Sequence, residues 1–346
     1  MLNQSAVLQQ SRAVIGKIAA LGLTLSGLLL LTFLIGRVLP VDPASAIVGE
    51  QADRDTYLRV AHELGLDQPI YVRVYSFSRK MLVGDFGYSA NTGHRVSDDL
   101  RRVLPATIEL AFVGGITGIA AGLLLGVLGA VYHERALDHL GRGIALVGSS
   151  MPSYWVGLIG LRVFYSHLGW VGGPERISIT NIDAAPTMTG SILVDALLAH
   201  NHDLFIDAVR HIVLPAAILA LGVSAHLSRM TRAFMLEQLQ SPHVLAARAK
   251  GLSNRKVLWN HAFRNTRMQL ITIIALTVAQ LLEGSVLLES VFAWPGLGQY
   301  FTQALLIGDM NAIVACTLLT GTIFIIVNST VEHLHSQLDP RTASPN

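Results

Sequence analysis

Long charge-free apolar runs alternate along the chain with charged segments, and the run lengths predict the elements. Ile18 to Gly36 is 19 residues without a charge, preceded by Arg12 and Lys17. A helix needs about 20 apolar residues to cross a bilayer, whereas a secretory signal core runs about 7–15. The run therefore predicts a first membrane span. Ala44-Ser45-Ala46 imitates a cleavage site but lies well beyond the run, so the span reads as uncleaved. Leu110 to Tyr132 predicts a second span, with Pro105 at its start. Ile144 to Leu161 predicts a third, interrupted by Pro152, and Ile212 to Ser228 a fourth, with Pro215 near its start and His226 inside. Leu270 opens the fifth, and Ala312 to Asn328 is the sixth. The pattern is that of an all-α integral membrane protein with six transmembrane helices.

The polar segments set the orientation. Residues 37–103 are hydrophilic and mixed in charge, too long for a simple connection, and read as a helical segment outside the membrane. Within it Pro69 can open a helix and Gly84 can close one. Ile70, Val74, Phe77 and Met81 fall between them on one amphipathic face. From Arg229 to Arg267 there are eight Lys or Arg against one acid, Glu237. Short loops rich in Lys and Arg stay in the cytoplasm. The turn His133–Arg142 also carries basic residues, and residues 166–210 carry few, so both termini are expected inside. Phe292 to Gly298 breaks the fifth helix, and the stretch to Asp309 reads as an outer loop.

Composition agrees with this reading and narrows the chemistry. The chain is 51% apolar and 14% charged with a net charge of +2, where soluble domains carry about 25% charged residues. So small a net charge argues for no nucleic-acid partner. The single cysteine, Cys316, lies in an apolar run and excludes an internal disulfide or a cysteine metal cluster. There is no GxxxxGK[ST], HExxH or GxSxG motif, so an energy source must come from another subunit.

Several residues qualify as candidates for function. Gly114, Gly118, Gly122 and Gly126 recur every fourth residue on one face of the second span, a surface for close helix packing. The neighbour can be in this chain or in another. Pro152 bends the third span, as a helix lining a pathway does. Glu283 stands deep in apolar sequence, where an ionisable group costs about 2.5–3.5 kcal/mol on insertion scales. It is expected to face a cavity or a partner, and with His226 and Pro152 it forms the candidate translocation path. His133 and His139, the group His200, His202, Asp203 and His211, and the tail pair His333 and His335 offer metal-type donors. None has a constraining spacing, so they read as ordinary loop polarity and no metal site is assigned.

Taken in order, further stretches resemble one family, the permease subunits of dipeptide/oligopeptide/nickel ABC importers. LPVDPASAIVGE, ELGLDQPIYVRVY and GDFGYS are similar to its LPGDP, LGLDxP and GDxGxS segments. LPATIEL (Leu104–Leu110), RHIVLPA (Arg210–Ala216), ARAKGL (Ala247–Leu252), HAFRN (His261–Asn265), FAWPGLG (Phe292–Gly298) and LDPR (Leu338–Arg341) complete the series. The resemblance covers nearly the whole chain. It implies a type I importer permease fold and a second homologous permease subunit. It also implies two ATPase subunits that bind the ATP and Mg, and an extracytoplasmic substrate-binding protein. The chain itself is then no enzyme and needs no cofactor. The resemblance divides the chain into 1–36 (N-terminus and first span), 37–103 (extracytoplasmic segment), 104–335 (permease core with coupling loop 229–267) and 336–346 (tail). ATPase coupling falls on Ala246, Ala247, Arg248, Ala249, Lys250, Gly251, Leu252 and Arg255. Three departures stand out: Leu245 replaces an acid of the general ABC pattern, no proline follows HAFRN near Gln269, and Glu283 stands where many relatives have a small residue.

The expected cargo is a short peptide. Nickel or a metal chelate is the alternative within the class. An intramembrane enzyme using Glu283 and His226 lacks any second motif, and a passive channel would need no basic docking loop.

Overall fold

The structure, a computed structural model, describes residues 22–24, 26–28, 30–31, 48–49, 53–63, 67–182 and 188–338. The side chains of some helical positions, Glu283 among them, lie outside the described set. In chain order the helices are α1 Arg54–Glu63, α2 Ile70–Leu82, α3 Val96–Val131, α4 Ala136–Ser150, α5 Ser153–Gly160 and α6 Ile192–Leu198. Then come α7 His202–Leu239, α8 Pro242–Ala249, α9 Arg264–Val291, α10 Leu297–Ile307 and α11 Met310–Leu338. A π-helical turn, Leu161–His167, continues α5, and another, Val257–Phe263, leads into α9. Among the described residues the only β-type pairing is the isolated bridge Tyr88–Arg95. Most of the expected first span lies outside the described residues; the described part of 22–31 is helical.

Among the described residues three segments are long and apolar enough to cross a membrane, Val96–Val131, His202–Leu239 and Met310–Thr330, and α4 with Ser153–His167 qualifies as a bent pair. The helices overrun the apolar runs that announced them. α3 begins at Val96, so Pro105 lies inside it rather than at its start. Asp98 and Asp99 in the first turn favour the positive end of the helix dipole, and both amides bond to the Arg95 carbonyl. α7 likewise begins at His202, where the Asn201 side chain accepts the Leu204 amide at 3.1 Å, so Pro215 is interior. The expected third span is two helices bent by 102° rather than one kinked helix. Proline disfavours α conformation in the preceding residue, and Met151 is extended at φ −103, ψ 132. The Pro152 carbonyl then accepts the Trp155 and Val156 amides and starts α5. The stretch after Phe292–Gly298, expected as an outer loop, contains the helix α10.

The chain divides into two compact units, residues 1–102 with 300–326, and 103–299 with 327–346. In the first, buried carboxylates tie distant segments together. Ser89 of GDFGYS donates to Asp309 at 2.6 Å, and Asp309 also accepts the Ala312 amide near the start of α11. Asp99 accepts from Tyr300, Arg102 and Thr92. α2 follows Pro69 and ends just before Gly84, as expected, and Gly84 has φ +76. The side chains of its expected apolar face, Ile70, Val74, Phe77 and Met81, lie outside the described residues.

In the second unit the glycine stripe finds its neighbour within the same chain. A Cβ placed on Gly118 would lie 2.7 Å from Cβ of Val223, and one on Gly126 would lie 2.5 Å from Cβ of Thr231. Gly114 and Gly122 meet Leu219 and Leu227 in the same way. α3 and α7 are thus in backbone-close contact, which small residues permit. Gly148 of α4 approaches Ala225 and Leu221 on another face of α7. Around these contacts Leu110, Ile212, Leu219, Leu288, Phe292 and Trp294 form the apolar core.

Candidate functional site

The basic loop folds as a short helix with a defined stop. Pro242 opens α8, a position where its missing N–H costs nothing. At the other end the Gly251 amide bonds to the Arg248 carbonyl and the Leu252 amide to the Ala247 carbonyl. This is a Schellman cap, with Gly251 at φ +77. A Cβ on Gly251 would meet nothing within 4 Å, so glycine is required there by backbone conformation and not by space.

The candidate coupling residues divide by face. Ala247 is buried and packs with Val244, Val257 and Leu239, which seats α8 on the protein. Ala246, Arg248, Ala249, Lys250, Gly251, Leu252 and Arg255 are exposed. The structure thus sets Ala247 in the seat and leaves the other coupling candidates outward. Asn265 of HAFRN bonds to His243 at 2.8 Å, which joins that segment to α8. Leu245, where the general pattern has an acid, is 52% exposed.

A partly buried ion pair holds the helices at this end. Arg232 of α7 grips Asp138 of α4 with two hydrogen bonds of 2.6 and 2.8 Å, and Asp138 also accepts the Glu134 amide. His133 stands beside the pair, 3.1 Å from Arg232 and 3.4 Å from Asp138. A bidentate guanidinium–carboxylate contact fixes geometry as well as charge.

The candidate path residues are spread over three places. Pro152 is exposed at the α4–α5 break, and His226 is half-buried on α7. Glu283 is a position of α9 whose side chain lies outside the described residues. Of the histidine group, His211 is buried and faces Asp207 at 3.3 Å, while Asp207 also accepts from Ser178 and Asn181. Among the described residues no three His, Cys, Asp or Glu are placed to hold a metal ion.

Sequence reasoning missed a polar knot at the opposite end of α3. Its members come from LPATIEL and FAWPGLG, which explains why those motifs occur together. The Trp294 indole donates to the Ala106 carbonyl at 2.9 Å, and Thr107 accepts the Leu297 amide at 2.7 Å. Glu289, with no exposed surface, accepts the Gly298 amide at 2.7 Å. A Cβ on Gly296 would strike both Glu289 and Thr107, so any larger residue would displace two members of the knot. Glu109 pairs with Arg176 and accepts from the Ser191 hydroxyl at 2.6 Å and the Leu193 amide at 2.8 Å. Arg176 lies over the Trp294 ring. Beyond Ser191, burial pushes the Asp195 carboxyl up, but the Thr189 hydroxyl and the amides of Thr189, Gly190 and Met188 outweigh it and leave it below the usual range. The signal was present: Glu109 and Glu289 are acids in apolar sequence, the criterion that singled out Glu283.

Glycine-packed spanning helices with a short, exposed, cationic helix between two of them define an integral membrane transport subunit. The fold is that of the type I ABC importer permeases. A chain of the inward-facing MetNI methionine ABC transporter (CY5 native crystal form) matches with a TM-score of 0.52 and 18% identity, over 69% of this chain and 96% of that one. The chain belongs to the family described as binding-protein-dependent transport system inner membrane component, whose model matches residues 118–344. The corresponding N-terminal model matches residues 11–111. The chain is similar to the probable D,D-dipeptide transport system permease protein DdpB of Escherichia coli (strain K12), 37% identical over 92% of this chain and 94% of that protein. The di/tripeptide transport system permease protein DppB of Pseudomonas aeruginosa (strain UCBPP-PA14) is likewise 37% identical, with the same shares covered. The dipeptide transport system permease protein DppB of Escherichia coli (strain K12) is 35% identical, over 92% of this chain and 94% of that protein. This chain is accordingly a multi-pass inner-membrane permease subunit of an ABC importer and not an enzyme.

Proposed function

We propose that the chain carries short peptides inward across the cytoplasmic membrane as one of two homologous permease subunits. Two ATPase subunits, which bind the ATP and Mg, dock on the cytoplasmic side, and an extracytoplasmic binding protein delivers the peptide. Both termini lie inside, and the path runs past Pro152, His226 and Glu283. The observation that carries the reading is α8. It is a rigid helix, seated by Ala247, stopped by Gly251, and presenting Ala246, Ala249 and Lys250 outward. Small exposed residues let a partner approach closely, and a seated helix can pass the motion of a closing ATPase pair to α7 and α9. That is a two-state element biased by a ligand. The relatives named above are peptide permeases, which supports peptide over nickel or a metal chelate.

The test uses the assembled transporter. The tagged chain is expected to co-purify with an ATPase and to support ATP-dependent uptake of a labelled dipeptide in preference to nickel. Gly251→Glu is expected to insert into the membrane normally and to lose uptake by at least about tenfold, since each 1.4 kcal/mol of lost coupling is a factor of ten. Normal coupled uptake by that variant would refute the coupling assignment.

A further inference from the structure

Where α3 and α7 end beside residues 254–259, a cleft of about 690 Å³ opens. Its walls are mostly apolar, with Val131, Leu236, Leu239 and Leu258 and the ring of Trp259; His133, Gln240 and Asn254 add polar edges, and Arg248 and Arg255 border it. Arg255 and Trp259 also line an adjoining hollow of about 510 Å³ with Lys256. No carboxylate among the described residues borders either space. Among the described residues Arg248, Arg255 and Lys256 form no ion pair.

The depth of this cleft follows from the helices. α3's charge-free run ends at Tyr132, and Gly126 packs on Thr231 of α7. Val131 and Leu236, each five residues further along, therefore stand where hydrocarbon gives way to headgroups. Trp259, 48% exposed, has the amphipathic ring favoured at that level. We propose that the cleft binds an anionic phospholipid of the cytoplasmic leaflet. Its phosphate sits on Arg248 and Arg255, and its upper acyl chain lies between Leu239, Leu258 and Trp259.

The alternative occupant, an acidic segment of a partner protein, would have to desolvate carboxylates in an apolar cleft. A phospholipid already holds its phosphate and chain at the required depths. The residues of α8 that point elsewhere, Ala246, Ala249 and Lys250, do not border the cleft. Lipid and ATPase would thus take different faces of one short helix, and the lipid would brace α8 from the side away from the docking partner.

The experiment places the full chain in nanodiscs of neutral lipid doped with brominated phosphatidylglycerol or brominated phosphatidylcholine. Quenching of Trp259 is isolated as the difference from Trp259→Phe. Brominated phosphatidylglycerol is expected to quench at a lower mole fraction than brominated phosphatidylcholine. Arg248→Gln and Arg255→Gln are each expected to reduce that preference about fivefold, the equivalent of about 1 kcal/mol per basic residue at an anionic surface. Arg264→Gln, in the same loop but away from the cleft, is expected to keep it. Equal quenching by both lipids would overturn the site, as would an Arg264→Gln effect as large as the other two. Absence of quenching by either lipid would show protein in the cleft and would also overturn it.

Discussion

Apart from the Arg232–Asp138 pair, the two ends of the second unit treat charge in opposite ways. At one end Glu109 and Glu289, 7% and 0% exposed, sit in the core: Arg176, Ser191 and the Leu193 amide engage Glu109, and the Gly298 amide engages one oxygen of Glu289 while its other oxygen has no hydrogen-bond partner among the described residues. At the other, Arg248, Lys250, Arg255 and Lys256 are exposed on and after α8 and form no ion pair among the described residues. A charge buried at membrane depth must be paired and hydrogen-bonded within the chain, or it costs several kcal/mol. Charges left exposed and unpaired carry no such requirement and are available to something outside. The comparison teaches where the molecule is self-sufficient and where it is incomplete.

The strongest way to break the comparison is to remove one buried partner. Glu109→Ala leaves the Arg176 guanidinium, whose side chain is 10% exposed, without its counter-ion. It also strips the Ser191 hydroxyl and the Leu193 amide of their acceptor. Breaking a buried pair in this way costs about 3–5 kcal/mol. The expected result is a markedly lower melting temperature of the full chain in detergent; an unchanged one would mean that the knot is not what secures this end.

A smaller loss is expected between the two ends. Gly126→Ala forces a methyl into the space held by Thr231 and the Ser228 carbonyl, 2.5 and 2.8 Å away. Overpacking of this kind costs about 1–3 kcal/mol, read as a lower melting temperature. Gly222→Ala, whose Cβ would meet nothing within 4 Å, is expected to leave it unchanged. Equal effects at the two glycines would deny that the stripe is a contact with α7.

How much of this was legible depended on what each signal measures. Apolar runs report membrane depth, so the positions of the described spans were readable, but helix ends were not. α3 and α7 continue into water on the strength of the Arg95 carbonyl and the Asn201 side chain, which hydropathy does not register. The four-residue glycine period announced close packing, yet periodicity on one helix cannot name the neighbour. The bend at Pro152 was visible as a proline, but its size of 102° depended on Met151 adopting an extended backbone. Glu289 was not among the sequence candidates, although an acid in an apolar run was itself the clue. The coupling candidates were treated too uniformly, because helical facing separates Ala247 from its neighbours only once the α8 seat against Val257 is known.

The gentlest change sharpens the comparison most. Lys250→Gln removes a single positive charge, as Arg176 carries, but at an exposed position without an ion pair among the described residues. Lys250 is the C-cap residue of α8, but its cap bond runs from its backbone N–H to the Ala246 carbonyl and survives the change. Exposed side-chain substitutions stay within about 0.5 kcal/mol, so the melting temperature of the isolated chain is expected to hold. If α8 is a docking surface, the same variant retains less ATPase on co-purification, and more so at higher ionic strength, since screening weakens exposed charge pairs over about 8 Å at physiological salt. A variant that lost stability alone would move Lys250 into the self-sufficient class with Glu109. One that lost neither stability nor ATPase would leave docking to the small residues Ala246 and Ala249. The outcome therefore decides whether charge or close approach makes the contact at this end.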